Sequence, residues 1–326
     1  MELFKSLTRS TPHERTPADL ARWLQAPEAE LREWLGSRPM WASGYDYQRF
    51  SIPKRQGGTR SIEAPSDKLK TLQRRVLWRL LEPLAVRPCA TGFVRGRSIV
   101  DNARPHVGQG VVINMDLADF FGSITTEQVQ AVFAAHGWNE EAATILARIC
   151  TSEGRLPQGA PTSPALSNLV CRRLDARLSA LAARAQGQYT GYADDLTFSF
   201  PAFGRNRRRR APRTRASGDA ARRRRPAGPS RSLLNKIGMI IVAEGFRIQR
   251  KKRVRVQRGH QRQTATGLVV NQKLNAPRGL RRLVRAMQHR ARLGKLDPAG
   301  EKRLNGLQAF LAMVEKQRSG PAPKQR

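Results

Sequence analysis

The chain has 326 residues, of which 60 are Lys or Arg and 25 are Asp or Glu, giving a formal net charge of +35 at pH 7. A basic excess of this size indicates a polyanionic partner, with nucleic acid favoured over a membrane surface. No apolar run is long enough to cross a bilayer and the first residues lack the apolar core of a secretory signal, so we expect a cytoplasmic protein with no membrane contact.

Two short helices are predicted before residue 45. Thr16 followed by Pro17 is typical of a helix N-cap with proline at the first helical position. Apolar residues then recur at helical spacing as far as Leu35. We expect a packed helical segment over residues 1–44 with no chemistry of its own.

A β-hairpin is predicted around Gly57-Gly58, because apolar and polar residues alternate on both sides of this pair. Lys54 and Arg60 place cations beside the turn. Arg can grip a triphosphate with a bidentate fork and Lys can act as a point charge, while a solvated basic turn is the alternative interpretation.

A helix is predicted after Pro65, where apolar residues again follow helical spacing. A basic, loop-like segment at 91–98 comes next and leads into Asn102-Ala103-Arg104-Pro105-His106.

A run of β-branched residues from Val111 predicts a buried central strand that ends at Asp116. A carboxylate at this point would be costly unless it met a cation. Phe121 would lie at the floor of the same site, where a bulky ring can exclude a ribose 2′-hydroxyl.

A single helix is predicted over 126–150, followed by the loop Leu156–Pro164 with three prolines and one glycine. Because a second helix leaves this loop, its backbone N–H groups and the Gln158 amide are able to meet an incoming nucleotide. A purely structural turn is an equally good interpretation of this segment alone.

Two further carboxylates lie in Tyr192–Asp195, between β-like runs at 188–191 and 196–200, at the tip of a predicted hairpin. Adjacent anions repel each other, and a divalent cation removes that cost. Mg²⁺ takes oxygen ligands and often uses one or two carboxylates plus substrate phosphates. An Asp-Asp pair alone is more often a solvated turn, so the interpretation needs Asp116 as a third carboxylate.

Residues 204–231 form an Arg-rich segment of low complexity, which we expect to be a disordered loop or an RNA-contacting arm. A helix is predicted from Leu233 to about Gly245, then strands at Val254–Val256 and at 263–271.

Two helices are predicted beyond Pro277, separated near residues 298–300. Their polar faces are Arg-rich, and Arg281 and Arg282 lie on one of them. A helical lobe with one apolar and one basic face suits the backbone of a nucleic-acid duplex.

Taken in chain order, these segments resemble the conserved motifs of reverse transcriptases. Asp116 with Phe121 resembles motif A, the loop Leu156–Pro164 resembles motif B, and Tyr192–Asp195 resembles motif C. The hairpin at Gly57-Gly58 resembles the fingers segment that contacts the triphosphate.

Two other stretches are similar to motifs of bacterial retron reverse transcriptases. One is Asn102-Ala103-x-x-His106, and the other is Ala265-Thr266-Gly267, which has alanine where valine is usual. The Arg-rich segment at 204–231 is not part of the common pattern.

The resemblance implies an α+β right-hand polymerase fold with fingers, palm and a short helical thumb. The corresponding divisions are an N-terminal helical segment at 1–44, fingers at 45–110, a palm at 111–203 that is completed at 232–273 after the insertion 204–231, and a thumb at 274–326.

The resemblance also implies DNA synthesis on a structured non-coding RNA, primed from a 2′-hydroxyl of that RNA. The substrates would be deoxynucleoside triphosphates, and the product a branched RNA-linked DNA held as an RNA–DNA duplex. Such systems generally act in phage defence with an effector or toxin protein.

For the site residues the resemblance implies three groups. Asp116, Asp194 and Asp195 would hold two Mg²⁺ ions. The nucleotide contacts would be Lys54, Arg60, Phe121, Gln158, Ala160 and Lys252, the last of which either protonates pyrophosphate or simply contacts a phosphate. The RNA contacts would be Asn102, His106, Thr266, Gly267, Arg281 and Arg282.

Two alternatives stay open at this point. One is another bacterial reverse transcriptase, of the group II intron or diversity-generating type. The other is a non-catalytic, basic RNA-binding protein, against which the three aspartates in motif order count heavily because anion binding does not require them.

Overall fold

The computed structural model describes residues 14–36, 44–54, 57–201, 231–249 and 254–319. The helices are α1 Pro17–Leu24, α2 Glu28–Arg32, α3 Asp67–Val76, α4 Ile99–Ala103, α5 Thr126–Ala134, α6 Glu140–Cys150, α7 Ser163–Val170, α8 Arg172–Arg184, α9 Arg231–Ala243, α10 Arg278–Arg292 and α11 Pro298–Ser319. The strands are β1 Tyr47–Pro53, β2 Thr59–Pro65, β3 Val111–Asp116, β4 Gln188–Tyr192, β5 Asp195–Phe200, β6 Arg255–Arg258, β7 Thr264–Ala265 and β8 Leu268–Val269.

The chain divides into two compact units. The first unit comprises Met1–Val86 and Asp119–Arg172, and the second comprises Arg87–Ala118 and Arg173–Arg326. Each unit combines helices with antiparallel strands, which confirms the predicted α+β fold class.

The first unit begins with the predicted helix at Thr16. The Thr16 hydroxyl accepts a hydrogen bond from the Asp19 N–H, and the Asp19 carboxylate accepts one from the Thr16 N–H. This reciprocal cap fixes the start of α1. Leu20 and Leu24 on α1 and Leu31 on α2 are buried, so the predicted apolar faces are confirmed.

The predicted hairpin of the first unit is also confirmed. β1 pairs antiparallel with β2 from Tyr47↔Pro65 to Pro53↔Thr59. Gly57 and Gly58 have φ values of 88° and 79°, which only glycine adopts at little cost. Residues 55–56 at the turn lie outside the described residues.

The prediction of one helix over 126–150 is wrong, because two helices, α5 and α6, cover this stretch. The first helix ends at Ala134, and Gly137, with φ 85°, lies in the turn that follows it. The Asn139 side chain then accepts a hydrogen bond from the Ala142 N–H and caps the second. Continuous apolar spacing across both helices concealed this break.

The second unit is built on a four-stranded sheet in the order β4-β5-β3-β6, with every neighbouring pair antiparallel. β3 is an interior strand, as predicted, and Val112 and Ile113 are fully buried. β6 covers Arg255–Arg258, two residues later than the predicted strand at its C-terminal end.

The prediction of one strand over 263–271 is wrong, because the chain turns back on itself there. β7 pairs with β8, and Ala265 lies opposite Leu268, so Thr266 and Gly267 are the two turn residues. Both have positive φ, 43° and 82°. This combination matches a two-residue hairpin turn of type I′, for which glycine at the second position is favoured.

The predicted C-terminal helices are confirmed as α10 and α11. Val284 and Met287 of α10 pack on Leu304 of α11. Val314 of α11 joins a separate buried cluster with Val100 and six other residues of the second unit. The Arg-rich segment lies almost entirely at 202–230, outside the described residues. Within the described part of the chain, none of the helices is long and apolar enough to cross a membrane.

Candidate functional site

The second unit brings two of the three predicted catalytic aspartates directly together. Asp116 is the last residue of β3 and Asp195 is the first residue of β5, and the two are Cα partners in the antiparallel register. Directly opposed residues share a face of the sheet, with Cβ atoms about 4.5–5.5 Å apart. Both side chains are half-buried. Two carboxylates therefore lie side by side at the edge of the sheet where β3 ends and β5 begins.

The third aspartate lies in the turn that joins the hairpin. Tyr192 pairs with Asp195, which leaves Ala193 and Asp194 as the two turn residues. Ala193 has φ 55°, in the left-handed region. The Leu117 N–H donates to the Asp194 carbonyl oxygen at 2.9 Å. The chain just after β3 thus holds the turn in place beside Asp116.

The segment that follows α9 supports Asp116 from the other side. The Gln249 N–H donates to the Asp116 carbonyl oxygen at 2.8 Å, and the Ala118 N–H donates to the Arg247 carbonyl oxygen at 2.7 Å. Leu117 and Ile248 form an antiparallel bridge between these segments. The main chain around Asp116 is therefore fixed on both flanks.

The loop before α4 touches the turn at Gly92. A Cβ built at Gly92 would lie 2.6 Å from the Ala193 nitrogen and 3.0 Å from the Tyr192 carbonyl carbon. The Thr91 N–H donates to the Gly191 carbonyl oxygen, and the Gly191 N–H donates to the Cys89 carbonyl oxygen, both at 2.9 Å. Only glycine permits this approach of the loop to the hairpin tip.

The donor set at this edge fits a hard divalent cation. Carboxylate oxygens are its preferred ligands, and Mg²⁺ is usually held by one or two carboxylates together with substrate phosphates. Asp116 and Asp195 supply such a pair. Across the residues that the structure describes, no three His, Cys, Asp or Glu side chains form a group ready to hold a metal. The arrangement therefore suits a cation that the protein and a phosphate substrate bind together, rather than a cation held by protein ligands alone.

Asn102 and His106, predicted to contact RNA, are both fully buried in the second unit. The His106 ring lies between two hydroxyls, with Nδ1 2.7 Å from Ser199 Oγ and Nε2 2.7 Å from Thr190 Oγ1. Burial lowers the pKa of His106 to about 4, so the ring is neutral at physiological pH. Its role in RNA binding stays a prediction.

The Asn102 amide joins several segments of the second unit. Its Oδ1 accepts from the Thr91 hydroxyl at 2.8 Å, and its Nδ2 lies 3.5 Å from the Thr266 hydroxyl. The Thr266 hydroxyl in turn donates to the Ile99 carbonyl oxygen at 3.1 Å. The two segments that carry the retron-like motifs, around Asn102 and around Thr266-Gly267, are therefore in contact.

The first unit holds most of the predicted nucleotide contacts. Lys54 and Arg60 are exposed on the hairpin, Gln158 is half-buried and Ala160 is buried. Phe121 is half-buried, and its ring centroid lies 5.3 Å from that of Phe120.

The hairpin and the Gln158 loop are joined inside the first unit. The Glu63 N–H of β2 donates to the Gln158 carbonyl oxygen at 2.9 Å. A Cβ built at Gly159 would lie 2.6 Å from the Glu63 carbonyl oxygen, and Gly159 has φ 142°. The hairpin and the Gln158 loop, each predicted to contact the nucleotide, are therefore in direct contact with each other.

Three predicted contact residues remain, two for RNA and one for the nucleotide. Arg281 and Arg282 are exposed on α10, whose sequence contains six arginines and no acidic residue. Lys252 lies outside the described residues.

Sequence reasoning missed a buried acid behind the hairpin. Asp175 of α8 accepts a hydrogen bond from the Tyr189 hydroxyl of β4 at 2.7 Å, and both side chains are buried. Burial raises the pKa of Asp175 to about 6, although the Tyr189 hydrogen bond and the charge of Arg87 oppose the rise. The sequence signal for this buried acid is the position of Asp175 between Leu174 and Leu178, which lie on the apolar face of α8.

Comparison with known proteins gives consistent matches. A family model described as reverse transcriptase (RNA-dependent DNA polymerase) matches residues 52–210. The chain is 38% identical over 322 residues to the retron Mx162 reverse transcriptase of Myxococcus xanthus, covering 91% of this chain and 63% of that protein. It is 38% identical over 318 residues to the retron Mx65 reverse transcriptase of the same organism, covering 92% and 68%.

A third relative comes from another organism. The chain is 40% identical over 162 residues to the retron Ec86 reverse transcriptase of Escherichia coli, covering 49% of this chain and 51% of that protein. The chain spans less than two thirds of the length of the Mx162 protein, and slightly more than two thirds of the Mx65 protein.

Proposed function

The chain belongs to the family of retron reverse transcriptases, and from that premise we propose that it is an RNA-directed DNA polymerase that copies a cognate structured RNA. The observation that carries the proposal is the direct pairing of Asp116 with Asp195, with Asp194 held in the adjoining turn. A protein that only binds RNA has no need of three aspartates at one edge of a sheet.

In this proposal Asp116, Asp194 and Asp195 hold two Mg²⁺ ions. When bound, Mg²⁺ would lower the pKa of the attacking primer hydroxyl and neutralise charge on the leaving pyrophosphate. The protein itself has little covalent chemistry to do, so its contribution is positioning and charge stabilisation. The backbone bonds of Leu117 and Gln249 support that role because they fix the ends of both strands before substrate arrives.

The nucleotide contacts belong to the first unit. Lys54 and Arg60 neutralise the triphosphate, because both are exposed cations on the β1–β2 hairpin. Gln158 and Ala160 line the nucleotide site on a loop joined to that hairpin through Glu63. Phe121 excludes the ribose 2′-hydroxyl and so selects deoxynucleotides. Lys252 contacts the departing pyrophosphate.

The RNA partner is a structured non-coding RNA that serves as both template and primer. Priming starts from a 2′-hydroxyl of this RNA, and the product is a branched RNA-linked DNA. The net charge of +35 and the exposed arginines of α10 support a partner with a long phosphate backbone. We further propose a role in phage defence together with an effector protein.

The experiment that tests the proposal is expression of the gene with its native flanking DNA, followed by analysis of the copurifying nucleic acid. The wild type is compared with Asp194→Asn/Asp195→Asn. We expect short DNA covalently joined to RNA from the wild type and RNA alone from the double variant. RNA alone from both proteins, together with no extension of a supplied poly(rA)·oligo(dT) template–primer, would contradict the proposed activity.

A further inference from the structure

We propose that Asn102 and His106 are positioning residues for the Tyr192–Asp195 turn and do not contact RNA. The inference rests on the proposed function, because it concerns the placement of Asp194 and Asp195. Both side chains are fully buried and lie behind the hairpin that carries these carboxylates.

The His106 ring joins the two strands of that hairpin. Thr190 lies on β4, four residues before Asp194, and Ser199 lies on β5, four residues after Asp195. Each hydroxyl is 2.7 Å from one ring nitrogen. A single rigid ring therefore links β4 to β5, two residues before the Tyr192–Asp195 turn on β4 and four residues after it on β5.

The two hydroxyls can satisfy both nitrogens of the neutral His106 ring. A neutral imidazole has one donor nitrogen and one acceptor nitrogen, and a hydroxyl can play either role. The Thr190 hydroxyl also lies 3.2 Å from the Asn102 carbonyl oxygen, to which it can donate while it accepts from Nε2. The neutral ring uses both nitrogens, and neither is left to meet a nucleotide.

Asn102 holds the outer edge of the same hairpin. Its Oδ1 accepts from the Thr91 hydroxyl, while Thr91 bonds through its N–H to the Gly191 carbonyl oxygen. Gly191 is three residues before Asp194, and the neighbouring Gly92 packs against the Ala193 nitrogen. Asn102 thus fixes the loop that lies against the turn.

An RNA contact by either side chain would have to break these bonds. A buried donor or acceptor left without its partner costs about 1–3 kcal/mol. His106 would lose both ring bonds, which would deprive the buried Ser199 hydroxyl of its ring partner and leave the Thr190 hydroxyl with its bond to the Asn102 carbonyl oxygen. A positioning role carries no such cost, because the hydrogen bonds of Asn102 and His106 remain intact.

The test compares His106→Phe, which removes both ring bonds, with Gln73→Met as the matched control. Gln73 is also fully buried, and it donates to the Tyr47 hydroxyl and the Ile149 carbonyl oxygen in the first unit. Both variants are measured well below their unfolding temperatures. Ser199→Ala, which deletes one oxygen and one bond, serves as a milder second variant if His106→Phe folds poorly.

Three quantities are measured for each protein: kcat and KM for dTTP on poly(rA)·oligo(dT), the Kd for the transcript of the DNA flanking the gene, and amide hydrogen exchange at Leu117. The Leu117 N–H donates to Asp194, so its exchange reports on the turn without any need for activity. We expect His106→Phe to lower kcat at least tenfold, to leave Kd within twofold, and to speed exchange at Leu117. Ser199→Ala should act in the same direction more weakly, and Gln73→Met should leave all three unchanged.

Two results would overturn the proposal. A Kd weakened tenfold with unchanged kcat and unchanged exchange would make His106 an RNA contact. A loss of thermal stability alone, equal to that of Gln73→Met, would make it an ordinary core residue. If the wild type extends no primer, the proposed function fails, whereas the exchange at Leu117 and the Kd still decide the positioning role.

Discussion

Asp116 and Asp195 lie directly opposite each other, where β3 ends and β5 begins, as Cα partners in the antiparallel register. Gln249 holds the carbonyl group of Asp116, and Leu117 holds that of Asp194 next to Asp195. Because these bonds use main-chain atoms, they remain available when either side chain is exchanged. The site can therefore be tested by substitutions that retain the backbone bonds.

Replacing either carboxylate by its amide should abolish DNA synthesis. Asp116→Asn and Asp195→Asn keep the size and the backbone bonds but remove one negative charge each. We expect primer extension in the presence of Mg²⁺ to fall at least about a thousandfold, since metal-assisted charge stabilisation is worth several kcal/mol. The affinity for the flanking transcript should stay within twofold.

Asp297→Asn provides the control for these two variants. Asp297 belongs to the same unit, is exposed, and caps the Gly300 N–H through an oxygen that asparagine retains. It should extend primers at the wild-type rate. Wild-type extension by Asp116→Asn or Asp195→Asn would show that the paired carboxylates are not the catalytic residues.

Gly92→Ala should disturb the turn without touching an ionisable group. The added Cβ would meet the Ala193 nitrogen at 2.6 Å, so either the loop or the turn has to move. We expect a lower kcat, with the transcript affinity retained, in a primer-extension assay. Gly306→Ala on α11, where no atom lies within 4 Å of the new Cβ, should match the wild type. Equal kcat for the two variants would mean that the contact at Gly92 does not set the turn.

Asp175 and His106 should give the stability opposite dependences on pH. Burial raises the pKa of Asp175 from 3.8 to about 6, so the folded chain binds the extra proton in this range and the free energy of unfolding falls as pH rises. Burial lowers the pKa of His106 from 6.5 to about 4, so the unfolded chain binds the extra proton and the free energy of unfolding rises with pH. In the wild type the two effects offset each other between about pH 4 and 6.

Single variants should reveal the two slopes separately in urea denaturation at pH 4.5, 5.5 and 6.5. Asp175→Asn keeps an acceptor for Tyr189 and should gain stability relative to wild type as pH rises from 4.5 to 6.5, by about 2 kcal/mol. His106→Phe should lose stability relative to wild type over the same change, by a similar amount. Parallel curves for all three proteins would show that neither group titrates in this window.

The sequence predicted the parts of the site that depend on local pattern. Asp116 ends a run of β-branched residues and Asp194 lies between two β-like runs, so the pattern places both on elements. The apolar spacing continues across Gly137 and therefore hides the break between α5 and α6. The pattern over 263–271 predicts a strand because the turn at Thr266-Gly267 depends on positive φ values, which a polarity pattern does not display.

Pairings between distant segments could not be predicted in the same way. The Tyr189–Asp175 bond depends on α8 packing behind β4, and the close approach of Gly159 to Glu63 depends on a loop packing against β2. The RNA contacts predicted for Asn102 and His106 come only from the resemblance to a retron motif. Their burial and their hydrogen bonds depend on the packing of distant segments, which the motif does not display.

Phe121→Ala should relax the choice between deoxynucleotides and ribonucleotides. The ring packs against the buried Phe120, which fixes its orientation, and its removal would leave room for a 2′-hydroxyl. We expect the ratio of kcat/KM for dTTP to that for UTP to fall at least about tenfold. Phe50→Ala, which removes an exposed ring of the same unit, should keep the wild-type ratio. An unchanged ratio in Phe121→Ala would remove the proposed selective role.

Arg281→Ala/Arg282→Ala should weaken binding to an RNA–DNA duplex through the phosphate backbone. Both side chains are exposed on α10, and the apolar side of the same helix is occupied by Val284 and Met287 packed on α11. Each lost phosphate contact should reduce the slope of log K against log salt by about 0.9, so the double variant should lose about 2. The loss should be similar for duplexes of different sequence, because phosphate contacts carry no base information.

The control for this double variant is Lys236→Ala, which removes an exposed cation from α9 in the same unit. Its salt slope should equal that of the wild type, because the proposal places the phosphate contacts on α10 and not on α9. Binding is measured by fluorescence anisotropy between 50 and about 200 mM salt, the range over which such contacts change affinity most visibly. A double variant whose slope matches that of Lys236→Ala would place the duplex on another surface of the chain.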